Sequence, residues 1–159
     1  MVETTEAIET VKRRNKERHP YGVSCRFIPF NADWGIKVFE SETERDRAVY
    51  WQRKAAEVGL GPKVGVVFEI KNLEHHVYDV SHTVYCHVTE RVDMSRQKGL
   101  STVDGSHQHM IKQIRTLRRL LRAKIGFNFE DDHHNNVGYL NGHLVCIDFD
   151  AHISTAFEG

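Results

Sequence analysis

Apolar and polar residues alternate in several short stretches of the first half of the chain, and this period indicates β-strands with one buried face. We predict strands over residues 22–30, 34–39, 63–70 and 77–90, the last range holding one strand or two, with a turn over residues 71–76. Residues 41–58 show a helical period behind a capping box formed by Ser41 and Glu44. The first half therefore predicts an antiparallel sheet with one helix.

The second half shows one long amphipathic helix followed by a tight hairpin. The helix is predicted over residues 107–124, and its apolar face consists of Met110, Ile114, Leu117 and Leu121. Asn141-Gly142 lies between the apolar runs VGYL and HLVCI, a strong signal for a two-residue hairpin turn. Residues 4–18 are polar with a thin apolar stripe, so we predict a short helix or an arm there.

These elements predict an α+β protein of three segments. Residues 1–19 form an N-terminal helix or arm, residues 20–90 a lobe with the sheet, and residues 91–159 a smaller lobe with the long helix and the hairpin. Basic and acidic residues are equal in number, 22 of each, so the whole molecule has no strong attraction for nucleic acid or membranes.

The sequence carries no sign of membrane insertion or secretion. No apolar run approaches the roughly 18 residues that a membrane helix needs, and the first residues lack the shape of a signal peptide. Three cysteines lie far apart and form no CxxC pair, which favours reduced thiols. We therefore expect a cytoplasmic protein with no membrane association.

The segment richest in reactive side chains is DDHHNNVGYLNGHLVCIDFD, residues 131–150. Asp131 and Asn136 lie in a polar loop before the predicted hairpin, and Asp148 follows at the far end of that hairpin. Because a hairpin brings its two ends together, we expect Asn136 and Asp148 to share a cation. An amide oxygen and a carboxylate suit Mg²⁺, and Asp131 would stand nearby, able to accept a proton.

Two other interpretations of this loop stay open. His133 and His134 are potential zinc ligands, but a zinc site needs three or four ligands, no cysteine is near, and adjacent residues of an extended loop point to opposite sides. A solvated polar loop without chemistry is the second alternative. Neither explains Lys37, which lies between Ile36 and Val38 in a predicted strand, although a lysine there can also simply face solvent.

The predicted long helix carries six basic side chains and no acidic one. They are Lys112, Arg115, Arg118, Arg119, Arg122 and Lys124. Such a face can bind phosphate backbones, but a solvated face balanced by acidic residues elsewhere is the commoner case. We therefore expect a solvated face, and a nucleic-acid-binding protein that uses this helix stays open as a third alternative.

In chain order these features resemble the protein-kinase-like family. A strand lysine, a helix glutamate, a long helix, an Asp-x-x-x-x-Asn loop, a hairpin and an Asp-Phe pair follow one another over residues 22–150. The loop from Asp131 to Asn136 is most similar to the Asp-x-His-x-x-Asn version of aminoglycoside-phosphotransferase-like and other atypical kinases. The resemblance implies an antiparallel-sheet N-lobe with one helix and a strongly reduced C-lobe that ends after the Asp-Phe motif.

The resemblance also implies a nucleotide site made by residues of the N-lobe. Gly35 would lie against the adenine, and Lys37 would hold the α- and β-phosphates of ATP. Glu44 would pair with Lys37, with Asp46 as a rival for that role. The hinge that meets adenine through its backbone would consist of Thr89, Glu90 and Arg91.

In the reduced C-lobe the resemblance implies that Asp131 is the catalytic base and that Asn136 and Asp148 are Mg²⁺ ligands, with Phe149 as the aromatic of the motif. The expected activity is an ATP- and Mg²⁺-dependent phosphotransfer to an unknown acceptor. No Gly-rich loop occurs, and only residues 31–33 stand where a phosphate cradle is expected. This departure favours the alternative of a pseudokinase that binds a nucleotide or a partner without catalysis. We also expect a protein partner or a second copy to complete the missing C-lobe.

Overall fold

The structure is a computed structural model that describes residues 2–17, 25–75 and 80–149. The chain divides into two compact units. The first, which we call the sheet unit, consists of Met1–Asp46 and Val64–Arg91. The second, the helical unit, consists of Arg47–Lys63 and Val92–Gly159. The α+β class predicted from the sequence is confirmed.

An antiparallel sheet of four strands in the order β1-β2-β4-β3 forms the sheet unit. The strands are β1 (Cys25–Pro29), β2 (Trp34–Phe39), β3 (Val64–His75) and β4 (Val80–Glu90). Alternate residues such as Ile36, Val38 and Val88 share a buried cluster with Ala7 and Val11 of the N-terminal helix α1 (Thr4–Glu17). The predicted N-terminal helix is therefore confirmed and covers one face of the sheet.

Strand β3 is longer than the sequence pattern predicts. The turn expected over residues 71–76 is wrong, because β3 continues to His75 through a register shift between Ile70 and Leu73. Asn72 has a φ of 59° at this irregularity, a conformation that asparagine tolerates better than most residues. The first residues of the strand predicted over 22–30 lie outside the described part of the chain.

Helix α2 (Glu42–Glu57) contributes its C-terminal part to the helical unit. Trp51 and Ala55 belong to the same buried cluster as the apolar face of α3 (Ser106–Ile125) and the aromatic residue Phe127. The four apolar residues predicted for that face of α3 are all buried. The helix ends at Ile125 and is capped by Gly126, whose φ of 75° is typical of a C-terminal glycine cap.

A two-stranded hairpin completes the helical unit, with β5 at Val137–Leu140 and β6 at His143–Cys146. Asn141 and Gly142 both have positive φ, 52° and 85°, which is the type I′ turn that the Asn-Gly pair predicts. Asp93 extends the ladder on the other side of β5 through two backbone hydrogen bonds with Tyr139. No helix within the described ranges is long and apolar enough to cross a membrane.

Candidate functional site

The loop between α3 and β5 is closed by the side chain of Asn136. Its Nδ2 donates a hydrogen bond to the backbone carbonyl of Asp131 at 2.8 Å. Because the amide NH₂ is used in this way, Oδ1 is the end of the side chain that remains to accept a donor or bind a cation. Asp131 is exposed and Asn136 half-buried, so both are accessible from solvent.

The hairpin brings Asp148 next to this loop, as the sequence predicts. Val137 and Cys146 form the last pair of the β5–β6 ladder, and the N–H of Ile147 then donates to the carbonyl of Asn136 at 3.0 Å. Asp148 is the residue that follows, and it leaves the hairpin at the end where Asn136 enters it. The structure therefore places Asp131, Asn136 and Asp148 at one end of one hairpin.

Asp148 is held from both sides by buried neighbours. Its carbonyl accepts a hydrogen bond from the Sγ of Cys146 at 3.4 Å. The next side chain, Phe149, is fully buried, and its ring centroid lies 5.2 Å from that of Phe127. The aromatic residue of the Asp-Phe pair is thus an anchor that fixes the backbone of Asp148.

Gln97 braces the loop from a short 3-10 helix, Ser95–Gly99, in the segment before α3. Its Nε2 donates to the carbonyls of His134 and Val137, at 3.1 Å and 2.6 Å. These two hydrogen bonds tie the loop and the start of β5 to the segment before α3. Sequence reasoning missed Gln97, because a single glutamine in a polar segment has no pattern that marks a contact with residues about forty positions away.

The two adjacent histidines lie on the same side of the loop, which corrects the sequence prediction. His133 and His134 have ring centroids 4.1 Å apart, because His134–Asn136 form a 3-10 turn instead of an extended strand. Burial lowers the pKa of His134 below the usual 6.5, and the charges of the nearby His133 and His107 lower it further. Among the described residues, no three His, Cys, Asp or Glu side chains come together to hold a metal, so the zinc interpretation gains no support.

In the sheet unit, Lys37 lies on the face of the sheet that α1 does not cover. Its neighbours Ile36 and Val38 belong to the buried cluster with α1, so Lys37 points the other way. Its cross-strand partners on that face are Phe27 and His87, and Lys37 itself is half-buried between them. The position is therefore partly shielded from solvent, unlike that of an ordinary surface lysine.

The space above Gly35 is taken by the ring of Phe27. A Cβ at position 35 would overlap two atoms of that ring, although 46% of the surface of Phe27 is exposed. In the structure the small size of Gly35 accommodates the side chain of Phe27 from the neighbouring strand. The contact of Gly35 with adenine, which the resemblance implies, stays a prediction.

The pairing of Glu44 with Lys37 stays a prediction. Glu44 is half-buried near the start of α2, where its N–H donates to Ser41 Oγ at 3.3 Å, and it forms no ion pair among the described residues. Its rival Asp46 binds Arg45 Nε at 2.7 Å. Arg45 is the buried charge of this helix end, and its guanidinium donates to the carbonyl of Phe68 at 2.9 Å.

The predicted hinge meets the turn of the first hairpin. Thr89 and Glu90 pair with Gly35 and Trp34 in the sheet. The backbone N–H of Arg91 donates to the carbonyl of Asp33 at 2.8 Å, so this group is already used within the protein. The turn therefore lies at the hinge end of β2 and not beside Lys37.

The backbone amides of this turn are occupied by the turn itself. Asn31 Oδ1 accepts the N–H groups of Asp33 and Trp34 at 2.9 Å and 2.8 Å, and the carbonyl of Trp34 accepts those of Phe30 and Asn31. A phosphate cradle needs several N–H groups that point outward. Residues 31–33 do not offer one, which agrees with the departure noted in the sequence.

The predicted residues thus form two groups. The helical unit brings together Asp131, Asn136 and Asp148, and the sheet unit holds Gly35, Lys37, Glu44, Thr89, Glu90 and Arg91. No protein-family model, curated protein or solved structure matches the chain.

Proposed function

We propose that the protein is an ATP- and Mg²⁺-dependent phosphotransferase with a minimal kinase-like fold and an acceptor still to be identified. The observation that carries this proposal is the end of the β5–β6 hairpin. There the amide of Asn136 is oriented by the carbonyl of Asp131, and the backbone carbonyl of Asn136 is bonded to the residue before Asp148. One exposed carboxylate and two oxygen ligands at a fixed end of a hairpin fit this chemistry.

Asn136 Oδ1 and the carboxylate of Asp148 are the groups that would hold Mg²⁺. Two protein ligands are enough, because Mg²⁺ keeps several waters and takes its remaining ligands from the phosphates. The bound ion would neutralise charge on the β- and γ-phosphates. The helical unit supplies the rigidity this role needs, since Phe149 and Gln97 fix the backbone on both sides.

Asp131 would orient the acceptor hydroxyl and take its proton. As the acceptor oxygen bonds to the γ-phosphorus, the bond from phosphorus to the bridging oxygen breaks and ADP leaves. Asp131 suits this role because its side chain is exposed while its backbone carbonyl is fixed by Asn136. Lys37 of the sheet unit would contribute positive charge to the α- and β-phosphates.

The first hairpin favours a second candidate, a pseudokinase-type module that binds a nucleotide or a partner without catalysis. The turn at residues 31–33 uses its own amides, and Phe27 covers Gly35. Positioning and charge neutralisation provide most of the rate in phosphoryl transfer, so a nucleotide held without a cradle would react slowly. In either case a protein partner or a second copy would complete the small C-lobe.

A thermal-shift titration tests nucleotide binding. We expect MgATP to raise the melting temperature, because a ligand at 100 times its Kd stabilises the folded state by about 2.7 kcal/mol. Asp148→Ala should abolish this rise, and removal of Mg²⁺ with EDTA should have the same effect. Glu130→Gln, which removes an exposed acid from the same loop, is the matched control and should keep the rise.

Transfer of label from γ-labelled ATP, to water or to an added acceptor, separates the two candidates. Asp131→Asn should keep the thermal shift and lose turnover if the protein is an enzyme, whereas Asp132→Asn should keep both. A thermal shift without turnover in the parent protein would favour the pseudokinase. The absence of any shift at millimolar MgATP would contradict nucleotide binding in both forms.

A further inference from the structure

Helix α3 carries a straight stripe of exposed basic side chains. Their spacing of three, four and three residues places them on one face, opposite to the buried residues of the helix. The stripe, which we call the basic stripe, consists of Lys112, Arg115, Arg119 and Arg122, all exposed. At a rise of 1.5 Å per residue it is about 15 Å long.

No acidic side chain of the described residues pairs with the stripe. Helix α3 contains no acidic residue, and among the described residues none of the four stripe side chains forms an ion pair. Arg118, on the flank of the stripe, is the basic residue of α3 that does so, with Asp132 at 3.2 Å. In a chain with 22 basic and 22 acidic residues, the stripe is a local excess of positive charge.

This arrangement weakens the helix that carries it. Like charges three or four residues apart destabilise a helix by about 0.2–0.5 kcal/mol for each pair, and the stripe contains three such pairs in succession. An acidic residue at any of the intervening exposed positions would relieve the repulsion. Local features that oppose stability without an internal compensation are expected where a protein binds something.

The chemistry of the stripe fits phosphate groups at regular intervals. Three of its four residues are arginines, whose planar guanidinium binds a phosphate through two parallel hydrogen bonds. Among the other exposed residues from Lys112 to Arg122, Thr116 is polar and Arg118 is basic. Leu120 is apolar and 37% exposed, but it lies about 100° around the helix from Arg119, so the stripe itself offers no large apolar anchor of the kind that dominates peptide binding. A phosphate backbone with a charge about every 3.4 Å along a strand can engage all four residues.

We propose that the basic stripe of α3 binds the phosphate backbone of a nucleic acid without reading its sequence. The proposal is independent of the phosphotransferase function, since every residue involved belongs to one face of α3. Binding should be dominated by the release of counterions from the nucleic acid. It should therefore depend steeply on salt and only weakly on base sequence.

Fluorescence anisotropy of the full chain with a short labelled DNA duplex, in the absence of nucleotide, tests the proposal. Four phosphate contacts predict a slope of about −3.6 for the logarithm of affinity against the logarithm of salt concentration. Between about 50 and 200 mM salt the affinity should fall about 150-fold. For a single strand of the same length, the slope should be about −2.8.

The decisive variant is Arg115→Gln with Arg119→Gln, which removes two charges and retains good helix formers. It should reduce the duplex slope to about −1.8 and weaken binding at low salt. The matched control is Lys12→Gln with Arg13→Gln, which removes two exposed charges from α1 and should leave the slope unchanged. Circular dichroism of both variants checks that the helices remain folded.

Three results would overturn the proposal. The first is the absence of duplex binding at low salt, and the second is an equal loss of affinity in the two double variants. The third is binding of poly-glutamate as tight as that of DNA, which would assign the stripe to an acidic protein instead. A thermal shift with MgATP plays no part in these outcomes, so failure here leaves the phosphotransferase proposal standing.

Discussion

The two hairpins of this protein satisfy their polar groups in opposite ways. At the end of the β5–β6 hairpin, backbone carbonyls accept the hydrogen bonds, mostly from side-chain donors such as Asn136 Nδ2 and Gln97 Nε2, and the side chain of Asp131 is exposed. In the β1–β2 hairpin, the side chain of Asn31 occupies the amides of the turn, and Phe27 fills the space over Gly35. The first arrangement leaves atoms for a ligand, whereas the second uses the protein's own side chains where a ligand was expected.

A cation and a nucleotide place different demands on a hairpin. A cation needs only a few oxygen ligands held in place, and the β5–β6 hairpin provides them within one short segment. A nucleotide needs a surface for its base and backbone amides for its phosphates. In the β1–β2 hairpin, the protein's own side chains already occupy both.

Phe149→Ala should destabilise the helical unit strongly. The side chain is fully buried against Phe127, and removal of a buried phenylalanine side chain costs about 3–5 kcal/mol through lost burial and the cavity left behind. Urea unfolding should show a lower midpoint with an unchanged slope. Phe27→Ala is the matched control in the other hairpin, and since 46% of Phe27 is exposed it should cost far less. Equal losses in the two variants would contradict the assignment of Phe149 as an anchor.

Gly35→Ala tests whether Gly35 is small for the sake of Phe27. The added methyl group would overlap the ring, and overpacking of this kind costs about 1–3 kcal/mol. In a Phe27→Ala background the same substitution should cost less, because the carbonyl oxygen of Ile28, 3.2 Å from the added Cβ, is then the tight neighbour that remains. The difference would appear as a coupling free energy in a double-mutant cycle of urea unfolding. Additive effects would instead show that another neighbour restricts position 35. If the ring also blocks the base of a nucleotide, Phe27→Ala should in addition increase the thermal shift with MgATP.

Local sequence patterns predicted the elements and the convergence of Asp131, Asn136 and Asp148 at one end of the hairpin. Asn141-Gly142 determined the turn, and the turn determines which residues stand together at the other end, so Asn136 and Asp148 could be placed from the chain alone. The position of Phe27 over Gly35 could not be predicted, because it depends on the register between two strands and on the direction of one side chain. The hydrogen bonds of Gln97 could not be predicted for a similar reason, since its partners are distant in sequence.

The smallest expected effect concerns pH and the histidines of the β5–β6 loop. Burial and the positive charges of His133 and His107 lower the pKa of His134 in the folded state below 6.5. The unfolded chain therefore binds more protons than the folded one at and somewhat below pH 6.5. The contribution of His134 to the free energy of unfolding is thus present above that pH and is lost as the pH falls through the folded pKa. His134→Gln should lose less of its free energy of unfolding than the parent between about pH 8 and pH 5, the range in which a histidine changes charge. The effect should be slight because the ring is only half-buried. A pH dependence of His134→Gln parallel to that of the parent would contradict this contribution of His134 to stability.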